Sequence, residues 1–476
     1  MRRFLKNIFN KIKNIFGGDS VIWFVFFALC IVSVLEYYSA SSQLVFRQPS
    51  GYMRPIMEHI MFLLAGLVVV LVVLRIPVWV IRHLGTLGIL VSLALLIWMH
   101  FKGVISNDAA RSMTFFGLFE FQPAELAKLS LVIFAANMLS RIKNPQEDEK
   151  KIFWWLMAIS GTICALIFKD GLSTSVLLFL IVMILCFIQN IAWKRIGTVL
   201  LALSAAIAII LTIAWIAPNH LPTFLRRAST WVNRLKGVSE IDGFQGKSIR
   251  PNKDYITEKG DTIRYDSYYY YYFKSKGDSV LYQLYDGKIR YRYKIEIDKN
   301  GNEKKVAPKP RDISNRQIMN SKIAITRSII GTFPGNSNQR DNLSKIYSDF
   351  IFAIIIEETG LLGGGFVIVL YLILLIRAVM IAKSGSQVFH ALIVFGASLI
   401  IVIQALIHMM VVTAIVPVTG QPLPLISSGG TSAIVTSVYF GILLRVTRQI
   451  KDERRKINNI SQTTDESQQE EIEIDD

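Results

Sequence analysis

The sequence predicts an all-α polytopic membrane protein of about ten transmembrane helices, with a large extracytoplasmic loop between helices 7 and 8 that carries a small β-hairpin insertion. Three observations predict it. Hydrophobic residues make up 52% of the 476, and the mean hydropathy is +0.42. The apolar residues fall in blocks of about 20, the length that crosses a bilayer, rather than in amphipathic stripes. Lys and Arg concentrate in alternate connecting loops, which is the pattern that sets orientation.

The elements follow in order. The opening MRRFLKNIFNKIKNIF repeats Phe4, Ile8, Ile12 and Ile15 among Lys and Arg, so residues 1–20 read as a cytoplasmic amphipathic segment lying in the interface. Seven spans fill 21–217, near 21–40, 56–75, 79–100, 122–141, 152–169, 171–190 and 195–217. The piece 218–348 is the one large non-membrane segment, with an insertion at about 234–310. Within it, SVLYQLYDGKIRYRYKIEID has two β-favouring runs joined by Asp286-Gly287, a two-residue hairpin signal. Three more spans, near 349–376, 387–415 and 430–446, make up 349–450. The tail 451–476 ends QQEEIEIDD, and its polar composition predicts cytoplasmic disorder.

With the N-terminus inside, the inside loops hold Arg75 and Arg82, then Arg141, Lys143, Lys150 and Lys151, then Lys194 and Arg195, then Arg377 and Lys383. Both termini are therefore expected in the cytoplasm. Most of the formal charge of +17 sits beside spans, where it meets anionic headgroups, and it does not indicate nucleic acid. Cys30, Cys164 and Cys186 all fall in spans and suggest neither disulfide nor metal site. The sequence shows no HExxH, Cys/His cluster, P-loop or GxGxxG, so an enzyme built on this chain must draw on an activated substrate.

Ionisable residues in spans must pair, reach water or act. Glu125 and Lys128 in FQPAELAKLSLVIF are three apart and share a helical face, as either a structural pair or the lining of a polar cavity. Glu357 and Glu358 are adjacent, so at least one faces the interior, and Asp349 stands where an N-cap would stand. His408 shares a face with Gln404. The stretch GQPLPLISSGGTS (420–432) interrupts two apolar runs, and N–H groups from Ser427 through Ser428 and Gly429 to Gly430 open the last helix, a place suited to an anion.

Four stretches in order resemble the SEDS family of membrane glycosyltransferases, which includes FtsW, RodA and SpoVE. They are FQPAELAK (121–128), GNSNQRDNLSKIYSDFIFAIIIEETGLLGG (335–364), QALIHMM (404–410) and PVTGQPLPLISSGGTS (417–432). A weaker match, NDAARSMTFFG (107–117), places Arg111 on the external face. The resemblance implies polymerisation of lipid II, the undecaprenyl-pyrophosphate-linked disaccharide-pentapeptide, into peptidoglycan at the outer face of the cytoplasmic membrane.

It also implies an essential loop aspartate. RDISNRQIMNSKIAI (311–325) makes Asp312 the candidate base, although ISNR replaces the family's glycine-rich approach and its tyrosine; Asp341 and Asp349 are rivals. Arg111, Glu125, Lys128, Gln404, His408 and Ser427 to Gly430 are the implied substrate-binding set. No metal ligand set is identifiable, and a divalent cation such as Mg or Mn would fit a pyrophosphate substrate. The wording of 335–339 and 417–426 is nearer FtsW, which implies the division septum, divisome proteins and a class B penicillin-binding transpeptidase as partners. A RodA-like elongation polymerase and a lipid II flippase are the alternatives.

Overall fold

The computed structural model describes residues 16–40, 54–102, 104–106, 109–115, 119–143, 148–168, 171–216, strand segments between 247 and 306, most of 321–337, 346–385 and 387–475. Long apolar runs whose backbone groups must be satisfied internally become helices. They are α1 (Ser20–Ala40), α2 (Arg54–Val73), α3 (Val78–Lys102), α4 (Pro123–Leu139), α5 (Asp148–Phe168), α6 (Leu172–Ile188), α7 (Trp193–Ile216), α8 (Ile351–Ser384), α9 (Val388–Val412) and α10 (Gly430–Asp475). Between α3 and α4 run three short antiparallel strands, β1 (Val104–Ser106), β2 (Ala109–Phe115) and β3 (Phe119–Phe121).

Eight of the described helices are long and apolar enough to cross a membrane. The expected fourth and sixth spans are shorter, since α4 and α6 have 17 residues each. Pro123 occupies the first turn of α4, where its missing N–H is harmless, and Gly171 precedes α6. At about 1.5 Å per residue each covers roughly 25 Å, a little less than a hydrocarbon core.

The bundle is built from pairs: α3 packs on α4, α2 on α10, α5 on α6, and α8 on both α1 and α9. Helix α9 also meets α4, α6 and α10 and is the central one, with 72% of its apolar window buried against 6% for α7. The α3–α4 contact is close because α3 presents Gly85 to Ile133 and Gly88 to Ser130, where a Cβ would lie 2.3 Å from each neighbour. Lipid-facing surfaces carry exposed side chains such as Leu201 and Trp193 of α7 and Trp79 of α3.

At one end of the bundle the start of α1, the α2–α3 turn, the α8–α9 turn and the exit of α10 converge. Asp19, 1% exposed at its side chain, receives both Nε and Nη2 of Arg377, at 3.0 and 2.6 Å. Burial works to raise the Asp19 carboxyl, but Arg377's hydrogen bond and charge, with Lys451, hold it below its usual value. Arg445 Nε donates to Ile76 O at 2.7 Å, and Arg454 to Ser384 O at 2.8 Å. Those loops hold the Lys and Arg residues expected on one side of the membrane.

Helix α8 is two helices joined at Gly360, whose φ of 73° and ψ of −173° are not helical. The carbonyls around this break are taken by the preceding segment: Thr332 N–H donates to Glu357 O and Phe333 N–H to Glu358 O, both at 2.9 Å. A broken helix within a span is tolerated where protein repairs the backbone in this way.

One expectation changes. Asp349 is not the cap of α8: it ends a four-residue turn, Ile346–Asp349, and accepts Ser348 Oγ at 2.9 Å, while the non-helical Phe350 starts α8. The backbone of α10 runs helical to Asp475, since Lys, Arg, Gln and Glu are good helix formers. Short strand pairings occur between Lys247 and Val306, but the turn residues Asp286 and Gly287 lie outside the described residues. So do the amphipathic segment 1–15 and the insertion's linking residues.

Candidate active site

Residues 413–429, between α9 and α10, form an irregular loop that is mostly buried: Leu423, Leu425, Ile426 and Ser427 are all under 4% exposed. Three prolines, Pro417, Pro422 and Pro424, remove backbone donors and Leu425 adopts a positive φ of 63°, so the loop cannot satisfy its own carbonyls by a helix. Side chains from three helices, α9, α8 and α1, do it instead. Gln404 Nε2 of α9 donates to Pro422 O at 3.0 Å, and Tyr371 OH of α8 to Pro424 O at 2.6 Å. Ser33 Oγ of α1 donates to Ile426 O at 3.1 Å, and Gln421 Nε2 in turn donates to Thr174 Oγ1 of α6 at 2.6 Å.

Lys128 of α4 lies behind Gln404. Its ammonium is 1% exposed, 2.7 Å from Glu125 Oε1 and 3.1 Å from Gln404 Oε1. The i,i+3 spacing places both charges on one face of α4, and the amide of Gln404 relays that face to the loop. A cavity of about 80 Å³ adjoins, lined by Gln122, Glu125, Thr174, Thr419, Gln421 and Pro422 among others. That volume has room for a few waters but not for a sugar. Thr419 Oγ1 beside it is buried with no hydrogen-bond partner.

His408 sits one helical turn after Gln404 and is 1% exposed. Its Nδ1 lies 2.8 Å from Gln421 O, an acceptor, so Nδ1 carries the proton. In the neutral ring Nε2 is then a bare acceptor, buried without a partner among the described residues. His59 has the opposite arrangement. Ser33 spends its single proton on Ile426 O, so His59 Nε2–H donates to Ser33 Oγ at 2.7 Å and Tyr37 stacks on the ring.

The opening of α10 divides the expected anion-binding residues. Ser427 N–H donates to Leu423 O at 2.9 Å; its hydroxyl accepts Leu423 N–H and donates to Ser348 O, both at 2.7 Å. Ser427 is thus committed to the loop, and Ser428, Gly429 and Gly430, each partly exposed, are what remains. Gly430 is also a packing requirement, since a Cβ there would lie 2.6 Å from the ring of Phe62.

The structure therefore brings Glu125, Lys128, Gln404, His408 and Ser427 into one polar seam. Arg111 lies on β2, flanked by the register pairs Ala110 with Ile105 and Ser112 with Val104. Asp312 and Asp341 lie outside the described residues, as does Asp170. Sequence reasoning missed Ser33, His59, Thr174, Tyr371 and Gln421. It also missed Glu36 of α1, 5% exposed, for which a carboxylate in an apolar span was signal enough. Near it, Glu358 accepts Ser39 Oγ and the N–H of Gly335, and Glu357 accepts Ser337 Oγ at 2.5 Å.

The model of the cell cycle protein family FtsW/RodA/SpoVE matches residues 19–246 and 306–452. The chain belongs to this family. The gap in that match, 247–305, falls in the loop insertion. The family's curated relatives include the peptidoglycan glycosyltransferase MrdB of Escherichia coli K12, 25% identical over 431 residues that cover 90% of this chain and 93% of MrdB. They also include the probable peptidoglycan glycosyltransferase FtsW of Aliivibrio salmonicida, 25% identical over 93% of this chain and 92% of that one. Two solved structures share the FtsW/RodA/SpoVE fold. One comes from a peptidoglycan synthase complex that coordinates polymerization and crosslinking, with a TM-score of 0.62 and 19% identity over 91% of this chain and 98% of that one. The other is Thermus thermophilus RodA, with a TM-score of 0.55 and 17% identity over 90% and 97%.

Proposed function

We propose that this protein is a peptidoglycan glycosyltransferase that polymerises lipid II at the outer face of the cytoplasmic membrane. The observation that carries the reading is the irregular loop 413–429 held in the bundle centre against a buried Lys128–Glu125 pair, in a chain whose curated relatives carry that name. Irregular backbone at this depth lines a site rather than lipid. The alternation of basic loops supports two cytoplasmic termini, with the loop end of the bundle outside.

In the reaction the 4-hydroxyl of one saccharide attacks the anomeric carbon of the next. A C–O bond forms, the bond from that carbon to the pyrophosphate oxygen breaks, and undecaprenyl pyrophosphate leaves. Asp312 takes the hydroxyl proton as general base. Lys128 and Arg111, with the N–H groups of Ser428 to Gly430, offset charge on the departing pyrophosphate. A Mg or Mn ion would be held by the phosphates themselves, and the steps above do not pass through it. Glu125 and Gln404 fix the ammonium of Lys128, and His408 fixes the loop through Gln421.

The partner is a class B penicillin-binding transpeptidase, a reading favoured by the likeness to a chain from a synthase complex. Loop wording nearer FtsW favours septal synthesis with divisome proteins over elongation. The test is the purified full-length protein with lipid II, with and without that partner, read as glycan strands on a gel. Wild type is expected to polymerise and Asp312→Ala to yield none. Polymer from Asp312→Ala at the wild-type rate refutes the base; transfer of lipid II across vesicles without polymer makes the protein a flippase.

A further inference from the structure

Two cavities meet at Pro77, in the turn between α2 and α3. One is an apolar groove of about 580 Å³ walled by Val68, Leu71, Val72, Ile76 and Val80, with Arg75 beside them. Val68 and Val72 are more than half exposed, so the groove opens on the lipid side. The other, about 430 Å³, is polar and includes Arg82, His390, Arg445, Asp452, Glu453 and Lys456 in its lining.

The polar cavity is a built arrangement. The Arg82 guanidinium lies over Phe389, 4.2 Å from its ring centre, and donates to Ser140 Oγ at 3.3 Å. Arg445 is fixed by its Nε on Ile76 O, 2.7 Å away. Of the two carboxylates, Glu453 is already engaged by Gln449 at 3.1 Å. His390 is 1% exposed, yet its Nδ1 has no hydrogen-bond partner among the described residues. A buried polar atom left unpaired is costly, and here it lines a cavity that two guanidinia and an ammonium also face.

We propose that the two cavities together bind one anionic phospholipid of the cytoplasmic leaflet, its acyl chain in the apolar groove and its phosphodiester against Arg82, Arg445 and Lys456. Three cations against two carboxylates leave a net positive cavity that favours an anion, and the apolar groove joining at Pro77 selects a lipid over a free phosphate. The leaflet rests on the orientation given under the proposed function. The lipid preference does not.

The test is native mass spectrometry of the full-length protein in neutral detergent with equimolar phosphatidylglycerol and phosphatidylcholine. Phosphatidylglycerol is expected to be retained preferentially, and the preference to fall about fivefold per charge removed in Arg82→Gln with Lys456→Gln. Lys456 is exposed, so Lys456→Gln alone carries the test if the double variant melts early. Filling the groove with Val72→Trp is expected to lower retention of both lipids. Parity in wild type, an unchanged preference in Lys456→Gln and the double variant, or equal displacement by glycerol phosphate overturns the proposal. Labelling of Lys456→Cys from outside the cell overturns the leaflet while leaving the lipid preference standing.

Discussion

Lys128 donates to Gln404 Oε1 across 3.1 Å, and the same Gln404 donates to Pro422 O, so one amide couples a buried charge on α4 to the loop before α10. The charge is held from the other side by Glu125 at 2.7 Å. Both charged side chains are buried.

Lys128→Ala therefore leaves an uncompensated carboxylate in the bundle. The expected loss is about 3–5 kcal/mol of stability, together with most polymerisation. Glu125→Gln combined with Lys128→Met removes both charges and is expected to regain the melting temperature in detergent without regaining activity. Recovery of turnover per folded molecule in that double variant would return the pair to a purely structural role.

Tyr371→Phe strands the Pro424 carbonyl, which receives the phenol at 2.6 Å. A loss of about 1–3 kcal/mol follows from leaving a buried acceptor unmet. Because the loop, not a remote helix, loses its support, turnover should drop at temperatures well below the melting transition. Activity and melting that fall only together would contradict this.

Gly360→Ala and Gly365→Ala should differ in sign. At Gly360 the φ of 73° and backbone atoms of Ile330 only 2.8 Å from an added Cβ both oppose a side chain. A loss of at least about 1–2 kcal/mol is expected from the backbone conformation alone. Gly365 is helical with open space around it, so alanine there should gain up to about 1 kcal/mol. Thermal unfolding of the two variants in one detergent decides it.

The Asp19–Arg377 clamp makes stability depend on pH. The folded Asp19 carboxyl titrates below its unfolded value, near 3.9, so its contribution is complete above that value and is lost as pH falls through the lower folded one. Asp19→Asn should cost about 2 kcal/mol from pH 5 to 7, and the gap to wild type should close below about pH 4. A gap that stays constant down to pH 3 would mean the aspartate acts through packing.

The bundle was legible because crossing a membrane demands contiguous apolar residues, and all ten expected spans fall on helices. The Glu125–Lys128 pair and the shared face of Gln404 and His408 were legible because helical spacing alone places them. Ser33, Thr174 and Tyr371 were not, since one hydroxyl in an apolar run looks the same whether it packs or holds a distant carbonyl. Asp349 misled because a polar residue before an apolar run reads as a cap, and the preceding turn and Phe350 cannot be seen locally.

The bond from Ser33 to Ile426 spans 393 positions of the chain. A chain threaded into a membrane from its N-terminus has its first helix in place long before Ile426 exists. The centre of the protein is thus the last part to be finished, and until α10 is inserted the hydroxyl of Ser33 must find another acceptor. Anything that stalls synthesis or insertion late would leave nearly every helix in the membrane and no working centre.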